Sequence, residues 1–352
     1  MGHRTGMLSA RARVGAVRGS AAAMMGFALA LASTHPAVAQ VPAASTNDAA
    51  VPVHKDCDTC IILLGTRGGP VVDPARSEPA TLLVVNGTPY EIDAGAGAAR
   101  QIVAAGYPLA SLRTIFLTHH HLDHTAGLEP LMSLTWISKA LANRDLRPID
   151  VYGPPATAFL VNAALNYLSV SERIFRAGIP DLASSRKMFV GHDMQPGVIY
   201  RDANITVTAV ANAHFGHPSR GPDAKQDLSF SYRFDTPNGS IVFTGDTGPD
   251  PAVTALAKDA TILVSEVTLP RSGSVERVEA GVGRQLADHL THEHLTPADV
   301  GKMAAEAGVK RVVLSHLAIP SNVDAKDRLI EGVRQYFLGP VSVGEDLQVF
   351  KF

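Results

Sequence analysis

The sequence predicts an α/β fold in which layered sheets carry helices on their outer faces. Three observations predict it. Apolar runs of strand length, punctuated by glycine, proline and asparagine, open the folded part of the chain as a hairpin. Later runs alternate with segments of helical periodicity, the pattern of β-α-β units. Several of those runs end in a histidine or an aspartate, so reactive side chains recur at one position of the repeating unit.

Residues 1–39 stand apart from this pattern. Arg4, Arg11, Arg13 and Arg18 make a positive start, and Ala21–Ser33 (AAAMMGFALALAS) is an apolar stretch too short to span a bilayer. Ala37 and Ala39 offer small residues for cleavage before Gln40. We therefore expect a signal peptide over 1–39, a flexible Pro/Ala/Ser-rich tether over 40–53 and one domain over 54–352, because no linker interrupts it. The mature protein is then periplasmic or secreted, with no membrane anchor after cleavage. Cys57 and Cys60 are the only cysteines, and an oxidising compartment favours a local disulfide between them.

Within the domain, CIILLGTRGGP (Cys60–Pro70) reads as a strand stopped by glycines and proline, and TLLVVNGTPYEIDAG (Thr81–Gly95) as a hairpin turned at Asn86-Gly87. ARQIVAAGY is a short amphipathic helix and LRTIFLT a strand. LEPLMSLTWISKAL is helical, PIDVYGPP is strand and turn, and ATAFLVNAALNYL is helical again. Residues 168–200 are less regular and read as a cap or lid. Strands resume with ITVTAVANAH, LSFSYRF, SIVFTGD and TILVSEV. HLTPADVGKMAAEAGVKRVVLSHL closes the pattern, its helix capped by Thr296, opened by Pro297 and Asp299 and ended by Gly308.

The chemistry gathers in FLTHHHLDHTAG (Phe116–Gly127). On an extended segment His119 and His121 share one side, while Asp123 and His124 face a neighbouring position, so one segment serves two adjacent metal ions. His120 faces the other way and reads as supporting. The remaining candidates lie just past strand ends: His214, Asp246 and His316. His217 competes with His214. Glu266 either orients a ligand histidine or lies on the surface.

These residues carry a resemblance. His119, His121, Asp123 and His124 match H-x-H-x-D-H, the signature of the metallo-β-lactamase fold superfamily, and His214, Asp246 in FTGDT and His316 in LSH are similar to its later ligands. The resemblance implies an αββα sandwich: two central mixed sheets with helices on both outer faces. It implies one ion on His119, His121 and His214, a second on Asp123, His124 and His316, with Asp246 bridging and Asp93 supporting the loop. Two zinc ions are the implied cofactors, manganese or iron the alternatives. LGTRGGP, VYGP, DHTAGL and HLT are similar to the ribonuclease Z-like branch, which also holds secreted arylsulfatases. In that branch a histidine at the position of His294 gives the leaving group its proton; neighbouring His292 and Glu293 keep the donor open.

The expected function is an exported dinuclear zinc hydrolase directing a metal-bound hydroxide at an anionic ester, of arylsulfatase or phosphodiesterase type, with Asp123 and His294 as catalytic residues. Two divalent ions outweigh Asp123, Asp246 and a hydroxide by one positive charge, which favours an anionic centre. The alternatives are a lactonase or β-lactamase-like ester or amide hydrolase and a ribonuclease Z-like endonuclease. Asp246 stands where common β-lactamases carry cysteine, which disfavours that activity. The expected partner is a small anionic ester, with a homodimer compatible. Nucleic acid is not expected: net charge is −2, and the basic Gly/Pro-rich arm of tRNA-processing members has no counterpart between Pro130 and Ala213.

Overall fold

Strand β1 (Thr59–Gly65) is buried at every position, as an unbroken apolar run requires when both faces of its sheet are covered. It leads the computed structural model, which describes residues 57–69, 71–142, 147–216, 227–269, 292–319 and 325–352. All of these belong to the unit Asp48–Phe352; the unit Met1–Asn47 lies outside them, and with it the expected signal peptide. The expected tether (40–53) and His217 also lie outside the described residues. Cys57, just ahead of β1, is bonded to Cys60 within it.

β2 (Ala80–Val85) and β3 (Thr88–Ile92) form the expected hairpin, with Val85 opposite Thr88. Asn86 and Gly87 both have positive φ, 49° and 73°, which is why the turn carries asparagine and glycine. Three parallel strands follow, β4 (Thr114–Phe116), β5 (Ile149–Gly153) and β6 (Phe189–Asp193). Their connections run through helices α1 (Ala98–Ala104), α2 (Leu122–Thr125), α3 (Leu128–Leu141) and α4 (Thr157–Gly178).

The second sheet holds β7 (Gly197–Arg201), β8 (Thr206–Ala211), β9 (Phe230–Thr236) and β10 (Gly239–Phe243), which pair antiparallel. Parallel to β10 come β11 (Ile262–Thr268), β12 (Val312–Ala318) and β13 (Val341–Val343). Helices α5 (Pro251–Leu256), α6 (Pro297–Ala307) and α7 (Lys326–Arg334) accompany them. Thr296 and Asp299 form a capping box on α6, and Gly308 ends it at φ 67°. β14 (Val349–Lys351) returns to pair with β1, giving among the described residues two seven-stranded sheets, β14-β1-β2-β3-β4-β5-β6 and β13-β12-β11-β10-β9-β8-β7.

The cores confirm the αββα layering. Phe116, Tyr90, Tyr232 and Phe234 pack between the sheets, with Phe116 edge-on to Phe234 at 5.2 Å. Leu131, Trp136 and Leu165 join the outer face of the first sheet to α3 and α4, while Val300, Met303 and Leu329 do so for α6 and α7 on the second. The cap or lid expected over 168–200 is corrected: α4 runs on to Gly178, and β6 and β7 extend the sheets as their edge strands. Edge strands are half-exposed, so they lack the apolar density that marks their central neighbours. Among the described residues no helix is long and apolar enough to cross a membrane.

Candidate metal centre

The segment leaving β4 is clamped between the sheets before it reaches its histidines. Tyr232 Oη donates to the carbonyl of Leu117 at 2.6 Å and the Phe230 amide to that of Thr118 at 2.9 Å. Asp93, just past β3, takes a left-handed backbone (φ 58°) and accepts from the Thr118 amide at 2.7 Å and from its hydroxyl. His119 to His121 then follow in line with β4, and α2 opens with Asp123 and His124 in its first turn.

Two groups of donors result. Nε2 of His119 and Nε2 of His214 lie 3.1 and 3.0 Å from Nδ1 of His121. Nitrogens at 2.0–2.1 Å from one tetrahedral ion stand about 3.3–3.4 Å apart, close to this spacing. In the second group His316 Nε2 lies 3.3 Å from Asp123 Oδ2 and 3.1 Å from Asp246 Oδ2, and His124 Nε2 lies 3.3 Å from Asp246 Oδ1. Asp246 faces both groups, its Oδ2 being 3.9 Å from the Nε2 atoms of His119 and His214. The structure thus gathers all seven residues expected as ligands.

The donor set fits cations. Nε2 of His124 and Oδ1 of Asp246 are buried without a hydrogen bond, a costly arrangement unless something positive lies between them. Each histidine is turned by its other nitrogen: His124 Nδ1–H donates to Asp93 at 2.9 Å, and His214 Nδ1–H to the Glu293 carbonyl at 3.0 Å, leaving both Nε2 lone pairs facing inward. Burial holds His119 and His214 well below the usual histidine range, so both stay neutral. Burial also opposes charge on His124 and His316, yet Asp246 and its neighbouring carboxylates raise both, His316 to about 10. That site demands positive charge, which a divalent ion supplies better than protons.

His316 itself sits at φ 45°, a strained conformation for a residue other than glycine. The loop after β1 makes room for it. A Cβ on Gly68 would stand 2.6 Å from His316 Nδ1 and 2.8 Å from its backbone carbon. Arg67 donates to the carbonyls of Leu317 and Ile319, and the Gly69 amide to Asp123 Oδ2 at 3.0 Å. The glycines of LGTRGGP, read from sequence as strand stops, therefore shape the centre.

His294 is buried against both groups, its ring 5.1 Å from that of His214 and stacked at 5.9 Å on His316. Its Nδ1–H donates to Glu266 Oε2 at 2.6 Å, and Glu266 Oε1 accepts from the Thr247 amide at 2.7 Å. Glu266, for which a surface role stayed open, is buried. Of the three candidate proton donors, His292 is exposed and Glu293 contributes its carbonyl to His214. His120 turns away, Nε2 lying 2.9 Å from Thr157 Oγ1.

Residues 88–317 match the family described as a beta-lactamase superfamily domain. The chain belongs to the metallo-β-lactamase superfamily. It is 30% identical over 290 residues to a ribonuclease Z of Mycobacterium avium, covering 82% of this chain and 96% of that one. Ribonuclease Z of Mycobacterium marinum is 28% identical over 287 residues with the same coverage. Two solved structures share the fold: the metallo-beta-lactamase fold protein YhfI of Bacillus subtilis (TM-score 0.61, 17% identity, 83% of this chain, 98% of that one) and the short form of human tRNase Z (TM-score 0.59, 20% identity, 83% and 98%). As a superfamily member carrying two ligand-type clusters, the chain is a hydrolase. The expectation of a small anionic ester, with nucleic acid not expected, is overturned in favour of the ribonuclease alternative by relatives named ribonuclease Z that match over nearly their whole length. Net charge is a sum over the chain and says nothing of where its cations sit.

Proposed function

We propose that this protein is a metal-dependent phosphodiesterase of ribonuclease Z type that cleaves RNA. The observation carrying the reading is the convergence of His119, His121, His214, Asp123, His124, His316 and Asp246 on one buried point, in a chain whose curated relatives are named ribonuclease Z. Those relatives favour this reading over the arylsulfatase and lactonase ones. His119, His121 and His214 would hold one zinc ion, Asp123, His124 and His316 a second, with Asp246 between them. Bound there, the ions supply Lewis acidity and positive charge for attack by water on a phosphodiester. Asp93 and the Glu293 carbonyl keep the ligand rings oriented. Glu266 holds the Nδ1 proton of His294, so its Nε2 is the atom that delivers a proton to the departing oxygen.

The test is RNA cleavage by metal-replete protein with and without chelator, with metal content measured on the same sample. Cleavage that needs metal supports the reading; metal-loaded protein inert on RNA refutes it. Export through residues 1–39 is part of the proposal, and a mature N-terminus at Gln40 in the periplasmic or secreted fraction is its check.

A further inference from the structure

A second concavity, of about 510 Å³, opens on the outer face of the first sheet, lined by Ser169, Glu172, Arg173 and Arg176 of α4 and by Ser184 and Arg186. Its walls are fixed. Trp136 Nε1 donates to the Ala183 carbonyl at 2.8 Å, and Ser185 donates to Glu172 through its hydroxyl and amide. Glu172 is buried and satisfied by those bonds and by Arg176 at 3.6 Å, whereas Arg173, Arg176 and Arg186 are exposed. Three guanidinium groups thus face one carboxylate that is already engaged, and guanidinium forks match phosphate oxygens.

α4 starts beside the ligand loop, on the side away from the centre, where Thr157 Oγ1 meets His120 at 2.9 Å. At 1.5 Å per residue, Arg173 and Arg176 lie about 24 and 28 Å further along the helix. Phe159, Asn166 and Arg173 are spaced by seven and so share one strip of it; Arg186 donates to Asn166 on that strip. Glu172 is the only acidic residue of α4, and the rings of Phe159 and Tyr167 stand open to solvent at 75% and 74% exposure, surfaces on which bases stack.

We propose that the Arg173/Arg176/Arg186 pocket is a phosphate-binding subsite that grips the RNA backbone about 25 Å along α4 from the ligand loop. The inference rests on the ribonuclease reading and deepens it: a substrate that reaches both points is a polynucleotide, and a small diester touches only the centre.

The experiment compares wild-type holoenzyme with R173A/R186A, R173E/R186E and the charge-keeping R173K/R186K. Each is assayed on a structured RNA with a 3′ extension and on bis(4-nitrophenyl) phosphate, and binding to the RNA is followed by fluorescence anisotropy across salt concentrations. Expected are a roughly tenfold or greater rise in KM and Kd for RNA, kcat within about twofold, unchanged nitrophenyl hydrolysis, and a salt slope shallower by about 0.7–0.9 for each phosphate no longer neutralised. R173K/R186K should fall between. Unchanged RNA affinity and slope overturn the proposal. So does parallel loss on both substrates, which means a purely structural role, and so does an altered oligomeric state with RNA affinity intact, which means an interface between copies. Wild-type protein that binds RNA but cleaves none sinks the ribonuclease reading and leaves the anisotropy comparison to judge the pocket.

Discussion

Replacing Glu266 by glutamine isolates what the His294 pair contributes. The carboxylate accepts from His294 Nδ1–H at 2.6 Å in a fully buried setting, where a hydrogen bond to a charged group is worth about 1.5–3 kcal/mol. An amide keeps the shape and still accepts from the Thr247 amide but no longer favours the protonated ring. If that difference is felt in the transition state, kcat on RNA falls by about 10- to 150-fold at 1.36 kcal/mol per decade. H294A should cost about 10²- to 10⁴-fold, and the double variant no more than H294A alone, because Glu266 acts through the histidine. The decisive assay pairs RNA with bis(4-nitrophenyl) phosphate. Nitrophenolate departs without a proton, so both variants should keep near wild-type rates on it while metal content stays at the wild-type level. Equal losses on the two substrates, or loss of bound metal in E266Q, would refute proton delivery by His294.

Four further outcomes are expected. G68A drives a methyl into the His316 ring and backbone; it should cut activity at least tenfold and lower metal occupancy in elemental analysis, while far-UV circular dichroism stays unchanged. Chelation should lower Tm without abolishing the cooperative melt, since the three apolar cores contain none of the ligand residues; ions at 1,000 times Kd add about 4 kcal/mol, read by calorimetry. C57S should cost at most about 2 kcal/mol in denaturant unfolding, because the disulfide closes a short loop, the two cysteines being only 3 apart in sequence. Burial opposes charge on Glu172, but Ser185, Ser184 and Arg176 outweigh it and hold its carboxyl below the usual glutamate range. That contribution is complete at neutral pH and fades as pH falls through the folded-state value, so the Tm gap between wild type and E172Q should narrow in acid.

What the sequence reveals follows distance along the chain. Asn86-Gly87, the Thr296 cap with Pro297 and Asp299, and the stop at Gly308 are local devices, and each does in the fold what its residues imply. His214 and Asp246 are legible for a related reason, since they follow β8 and β10 closely. His316, expected just past a strand end, instead lies inside β12 where its pairing with β11 shifts register, and all three still converge. Contributions made across the chain stay hidden. Glu266 is legible as a carboxylate that orients a histidine or lies on the surface, but which histidine it serves stays hidden until His294 arrives from 28 residues further on. Gly68 carries no mark of the imidazole that fills its missing side chain. The helix beyond Leu168 escapes a sequence reading because it keeps Val170 and Ile174 on its solvent side, which blurs the amphipathic period.

The pairing of Cys60, Ile61 and Ile62 with Lys351, Phe350 and Val349 has a consequence for biogenesis. β14 follows every other described strand in sequence, so a nascent chain keeps β1 open on one side until Val349–Lys351 have been made. A chain ending before Val349 would leave β1 bare along that edge and prone to stick to its neighbours, although every histidine of the reactive hollow had already been made.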